Sequence, residues 1–335
     1  MGEKQEYTAI DIARFVCAFL VVSIHTEVFC DNIWLDRALG LFTRIPVPFF
    51  FTASGFFLFL AAGRNTTFQR IKKYLIRIFL LYGLWSVIYL PFFINNLLSE
   101  NISGSVLLYI LKSVFWTGVS SHLWFLPAIV IAVLITRLFY LFLSPKKTII
   151  VASAFLLFGT VFSTYSSVIN SLIGNNLFLD SFLDTVGTRN GLFYGFFYVA
   201  MGGLIASDKS TRGIKYHSLM FAVSFAVLIT ETAVAVLYLH VSNTIMWFAT
   251  PFVVYHLYIL LTKVKPPLKI VFAQQLRHMS SLIYTSQFVW IYLLTIIGFN
   301  RYGVMIFIGA SVLASAFSLV FLQLSKKITW LRFWY

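Results

Sequence analysis

Apolar runs long enough to cross a bilayer alternate with short polar connections along the whole chain. They fall near 9–30, 44–62, 71–94, 122–143, 148–166, 190–206, 217–239, 244–262, 280–298 and 303–325. A helix needs about 20 predominantly apolar residues to span a hydrocarbon core, and each run comes close to that. Inside lipid every backbone N–H and C=O has to be paired within the structure, which favours helices over open strands. The pattern predicts an all-α, polytopic membrane protein of about ten transmembrane helices. A further apolar stretch at 104–119 is short and broken by Lys112, which fits a re-entrant or interfacial helix.

Composition agrees with the pattern. Of 335 residues, 60% are hydrophobic and 11% charged, against roughly 25% charged in ordinary soluble domains. The 37 Phe, 17 Tyr and 8 Trp exceed what one soluble core could hide. A net charge of +14 would suit a nucleic-acid binder if it formed a patch, but here the charges sit in short clusters between apolar runs. No nucleic-acid partner is expected; membrane lipid is. No repeat or soluble domain is evident, so residues 1–335 read as one transmembrane domain.

The basic clusters also predict an orientation. Alternate connections hold Arg64, Arg70, Lys72 and Lys73; Lys146 and Lys147; Lys209, Arg212 and Lys215; Lys263, Lys265, Lys269 and Arg277; then Lys326, Lys327 and Arg332, with Lys4 ahead of the first run. The intervening connections carry only Arg37, Arg44, Lys112, Arg189 and Arg301, together with Asp31, Asp36, Glu100, Asp180 and Asp184. Both termini are therefore expected in the cytoplasm, and the protein in the cytoplasmic membrane. The first run is too long and lacks the small-residue site of a cleavable signal, so it reads as an uncleaved span. Cys17 and Cys30 lie 13 residues apart, about 20 Å at helical rise, too far for a disulfide.

Chemistry enters through ionisable residues placed within spans, where they are costly and usually mark function. Arg14 and His25 are eleven residues apart, about three full helical turns, and so share one face roughly 16 Å apart. Asp11 lies one turn before Arg14. Toward the outer side fall Glu27, His122, Trp124, Asp184 and Arg189, with Glu231 deep in a later span. Glu231 needs a partner or a proton, and a structural pairing is as plausible there as a binding role. On the inner side Arg70, Lys72, Lys73 and Arg77 form a basic ladder able to hold an anionic cofactor, although plain positive-inside anchoring accounts first for Lys72 and Lys73. Gly-rich phosphate loops, metal-ligand clusters and a Gly-x-Ser-x-Gly elbow are absent from the sequence, so no metal is expected.

These residues resemble the membrane-bound acyltransferase-3 family. Arg14 and His25 match its basic residue, ten residues, then histidine. VPFFFTASGFF (47–57), HLWFLPAIV (122–130), FYVAMGGLIA (197–206) and SLIYTSQ (281–287) resemble further family segments, in order. Two departures stand out: Gln287 occupies a position where the family usually has histidine, and the paired arginines of the third helix are here Arg70 and Lys73. A second resemblance is to the membrane half of the vancomycin-resistance serine racemases, through the Thr-Arg-Asn-Gly of DTVGTRNGLFY (184–194). Those proteins continue into a soluble pyridoxal-phosphate racemase domain, which would make this chain a stand-alone relative or the membrane half of a longer parent.

The first resemblance implies acyl transfer. An acyl-coenzyme A would dock its phosphates on Arg70, Lys73 and Arg77, His25 would act as general base on an acceptor hydroxyl, and Arg14, oriented by Asp11, would hold the donor. Tyr284 and Gln287 would contribute hydrogen bonds. The second implies serine binding or transport, with Arg189 at the carboxylate and Glu231 or Asp184 at the ammonium. A domain that merely anchors a catalytic partner would leave the Arg14–His25 stripe unexplained.

Overall fold

The computed structural model describes residues 7–60, 65–99, 105–174, 181–183, 185–207, 212–241, 245–300 and 302–335. Asp184 lies outside the described residues, as do Lys4, Arg64, Glu100, Asp180, Lys209 and Arg301 from the charge pattern. Every regular element among the described residues is helical. In order these are α1 (Thr8–Thr26), α2 (Ile33–Thr43), α3 (Pro46–Phe59), α4 (Phe68–Ser99), α5 (Val106–Lys112), α6 (Phe125–Phe142), α7 (Pro145–Ser163), α8 (Ser166–Ile173), α9 (Phe196–Ser207), α10 (Ile214–Leu237), α11 (Thr250–Lys263), α12 (Ile270–Ile296) and α13 (Val304–Lys327). Single π-helical turns follow α5 and precede α9, and a 3₁₀ turn closes the chain at Thr329–Trp334.

Each of the ten predicted runs contains a helix among the described residues. Among the described residues eight segments, α2 and α3 counting as one, are long and apolar enough to cross a membrane. The remaining two runs are shorter: Gly191–Ser207 joins a π turn to α9, and α11 has 14 residues. The run at 104–119 gives a short helix, as its length suggested. Two boundaries differ from expectation. α2 occupies what looked like a connection, started by Asn32, whose side chain accepts from the amides of Trp34 and Leu35. α12 begins ten residues earlier than the apolar run, immediately after Pro266, Pro267 and Lys269, so Arg277 sits two turns inside a helix.

The chain divides into two compact units, Met1–Phe50 with Arg212–Phe221 and Val254–Tyr335, and Phe51–Thr211 with Ala222–Val253. In the first, α1 lies along α12, and α12 pairs with α13. Ala18 and Val22 of α1 meet Met279, Ile283 and Ile291 of α12 and Ala310 and Ala314 of α13 in one buried cluster. Alanines let backbones approach, which matters in lipid because association there rests on close packing and not on water exclusion. The Gly303 amide donates to the Thr26 carbonyl at 2.8 Å, joining the start of α13 to the end of α1.

In the second unit α9 packs against α6 and α7. The part of α3 belonging to this unit crosses α9 at reciprocal glycines. A Cβ on Gly55 would overlap the Val199 carbonyl, and one on Gly202 would overlap the Thr52 carbonyl. These are the glycines of the TASGFF and MGGLIA segments, so both segments serve the helix crossing.

Candidate functional site

Asp11 is 7% exposed in the first turn of α1. One carboxylate oxygen lies 3.9 Å from the Arg14 guanidinium, the other 3.6 Å from that of Arg277 on α12. Those separations make ion pairs and not hydrogen bonds. Arg14 follows Asp11 by one turn on the same face, as the spacing required. Arg277 is the residue that sequence reasoning missed, having been counted among the cytoplasmic connections. The proline pair before α12 was the available signal, since it sets a helix start early enough to carry Arg277 into the bundle.

At the other end of the same seam, the His25 ring packs on Phe288 with centroids 4.8 Å apart. Along α12 this contact lies eleven residues beyond Arg277. With Asp11 against Arg277 and His25 against Phe288, α1 and α12 run in the same direction. His25 occupies the last turn of α1. Exposed Glu27 then ends the helix in a left-handed conformation, φ 43°.

Beside Phe288, Gln287 is completely buried. Its Nε2 donates to the Tyr284 carbonyl at 2.7 Å, while Oε1 has no hydrogen bond among the described residues. An unsatisfied buried acceptor costs about 1–3 kcal/mol, a cost that a ligand donor would relieve. Tyr284, one turn earlier, packs against Phe50 at 6.3 Å.

The second unit carries the other candidates. Arg70 donates to the Phe57 carbonyl at 2.8 Å, and Lys73 and Arg77 follow it along α4 as exposed side chains. His122 is buried, with Nδ1 3.1 Å from the Ser120 hydroxyl and its ring edge-on to Tyr89 at 4.8 Å. Trp124 and Arg189 come together: the guanidinium lies over the indole, 4.6 Å from the ring centroid. Both line a cavity of about 470 Å³ with Lys112, Trp116 and Thr188.

The Thr-Arg-Asn-Gly segment builds this wall. The Asn190 side chain accepts from the amides of Leu192 and Phe193 at 2.8 and 3.0 Å and donates to the Gly187 carbonyl at 2.9 Å, capping the π turn ahead of α9. Gly191 has to be glycine, because a Cβ would overlap the Ala128 carbonyl on α6. Arg189 is thereby presented on a turn fixed at both ends.

Glu231 is fully engaged. Its carboxylate accepts from the Tyr165 hydroxyl and from the backbone amides of Phe248 and Ala249, each at 2.8 Å. Thr164 fixes the same loop through the Met246 amide and carbonyl. The partner that sequence reasoning required of Glu231 is thus a phenol and two amides. No group of three or more His, Cys, Asp or Glu able to hold a metal occurs among the described residues.

A bundle of apolar helices with an Arg–Asp–Arg cluster and a histidine along one helix seam is a multi-pass membrane protein with an intramembrane polar site. The chain belongs to the acyltransferase-3 family: the model of its acyltransferase domain matches residues 7–323. Among curated proteins, the chain is similar to two amino-acid racemases of Enterococcus faecalis. One is 28% identical over 237 residues, 69% of this chain and 32% of the relative. The other is 28% identical over 276 residues, 80% of this chain and 39% of the relative. A serine/alanine racemase of Enterococcus gallinarum is 27% identical over 239 residues, 69% of this chain and 33% of the relative. The chain thus spans about a third of the length of the curated relatives it matches. No solved structure matches it significantly.

Proposed function

We propose that this protein, in the cytoplasmic membrane, moves an acyl group from cytoplasmic acyl-coenzyme A to a hydroxyl acceptor on the extracytoplasmic side. The observation that carries this reading is the α1–α12 seam, with paired charges at Asp11, Arg14 and Arg277 and His25 three turns further along. His25 removes the acceptor's hydroxyl proton as that oxygen attacks the thioester carbonyl. The carbon–sulfur bond then breaks, and coenzyme A leaves as the thiol, taking the proton back from His25. An imidazole suits both transfers because its ordinary pKa of about 6.5 lies near working pH. Asp11 keeps Arg14 and Arg277 on the seam, where a guanidinium can meet the donor. The buried Gln287 Oε1 accepts a hydrogen bond from a ligand donor.

A second reading is favoured by the racemase names of the relatives: the domain binds or carries serine for a soluble racemase domain in a longer parent. One experiment separates the two. Coenzyme A release from acetyl-coenzyme A is followed with purified protein in nanodiscs, with and without L-serine and candidate sugars, for wild type, His25→Ala and Arg14→Ala. Acyl transfer predicts acceptor-dependent release that His25→Ala abolishes in a folded protein. Unchanged release in that variant would sink the mechanism. Saturable serine binding, with neither release nor acetyl-coenzyme A binding, would establish the second reading instead.

A further inference from the structure

The cavity in the second unit has a composition that acyl transfer at His25 does not explain. Two cationic side chains, Lys112 at the end of α5 and Arg189 on the Thr-Arg-Asn-Gly turn, are exposed at its edge. Its deeper wall carries Trp124, Ser163 and Thr188, each less than a tenth exposed. A volume of about 470 Å³ lies within the usual 300–1,000 Å³ of small-molecule sites. This combination is a recognition chemistry: cations for an anionic group, hydroxyls for its oxygens and indole faces for its carbon skeleton.

Its rigidity argues the same way. The Arg189 guanidinium lies over the Trp124 ring, and its backbone is fixed by the Asn190 cap and the Gly191 contact. Trp116 on the opposite wall donates its Nε1–H to the Val186 carbonyl at 2.6 Å, tying that wall to the turn that presents Arg189. A planar guanidinium held in place loses little freedom when it meets a carboxylate or phosphate through two parallel hydrogen bonds.

We propose that this cavity is a binding site for a small polar metabolite bearing a carboxylate or phosphate, whose anionic group is held by Arg189 and Lys112 and whose body packs on Trp124. Binding here is independent of turnover at His25. The same anionic chemistry could be supplied by a lipid headgroup, so the test distinguishes the sources.

Binding of D-glucuronate, D-glucose 6-phosphate, L-serine and neutral D-glucose is measured by calorimetry, with protein in nanodiscs of zwitterionic lipid. At least one anion-bearing probe should bind, and D-glucose much more weakly. Arg189→Gln should weaken binding at least tenfold and Lys112→Gln several-fold, whereas Arg189→Lys should retain most of it. His25→Ala and Lys146→Gln should bind as wild type does, so loss of acyl transfer and loss of this site are read separately. If phosphatidylglycerol in the nanodisc competes with the probe in wild type but not in Arg189→Gln, the site is supported and its natural ligand is a headgroup. The inference is overturned if D-glucose binds as tightly as the anions, if folded wild type binds no probe and no anionic lipid, or if both neutralising variants bind normally.

Discussion

Asp11 has two partners, and the structure ranks them. Arg277 is nearer, 3.6 Å against 3.9 Å for Arg14, but its side chain is 36% exposed against 17% for Arg14. Coulomb energy varies as the inverse of distance, so the shorter separation favours Arg277 by only about a tenth. The dielectric effect is larger: unit charges 4 Å apart are worth about 1 kcal/mol in water and about 4 kcal/mol at an effective dielectric of 20. Burial therefore decides, and Asp11 should be coupled more strongly to Arg14 than to Arg277. Because neither contact is a hydrogen bond and both arginines keep some access, Asp11→Asn should cost about 1–2 kcal/mol, below the 3–5 kcal/mol typical of breaking a fully buried pair. The assay is a pair of double-mutant cycles, Asp11→Asn with Arg14→Gln and Asp11→Asn with Arg277→Gln, read by denaturant unfolding in mixed micelles. Coupling of about 1 kcal/mol to Arg14 and half that or less to Arg277 is expected. A larger coupling to Arg277, or none to either, would refute the ranking by burial.

Gly202→Leu should leave little folded protein, because the obstacle is the Thr52 carbonyl on a crossing helix and not a movable side chain. Gly83→Ala on α4 has nothing within 4 Å of the added carbon and should be neutral or slightly stabilising; monodisperse yield in detergent reports both. Glu231→Ala strands the Tyr165 hydroxyl and two amides and should cost about 3 kcal/mol or more in the same unfolding assay. Tight binding of the cavity probe to a folded Glu231→Gln variant would confirm that this carboxylate holds a loop and does not contact the ligand.

The sequence made the ten runs legible because hydropathy in a bilayer reports a single variable, length of apolar surface. It was a poorer guide where a helix is not apolar throughout. α2 carries Asp36 and Arg37 in its first turns and resembles a polar connection. α12 begins with a basic, polar stretch containing Lys269, Gln274, Gln275 and Arg277, which the charge pattern assigned to the cytoplasm. Reading charge as topology hid a structural role for one of those charges. Glu231 shows the converse limit: a buried acid signals that a partner exists, but Tyr165 lies 66 positions away and Phe248 17, and only the fold joins them.

The family segments also separate by physical role. TASGFF and MGGLIA share reciprocal glycines, and both are accounted for by one backbone crossing. Thr-Arg-Asn-Gly divides internally: Asn190 and Gly191 fix the turn, and Arg189 is what the turn presents. The same division holds on α1, where Ala18 and Val22 pack while Asp11, Arg14 and His25 carry the polar seam. Packing residues constrain where a polar group can point without specifying its chemistry. Gln287 accordingly sits within an intact scaffold and offers a buried acceptor without a titratable proton. With a glutamine at 287, the proposed proton transfer rests on His25 among the imidazoles of the described seam, and His25→Ala tests it directly.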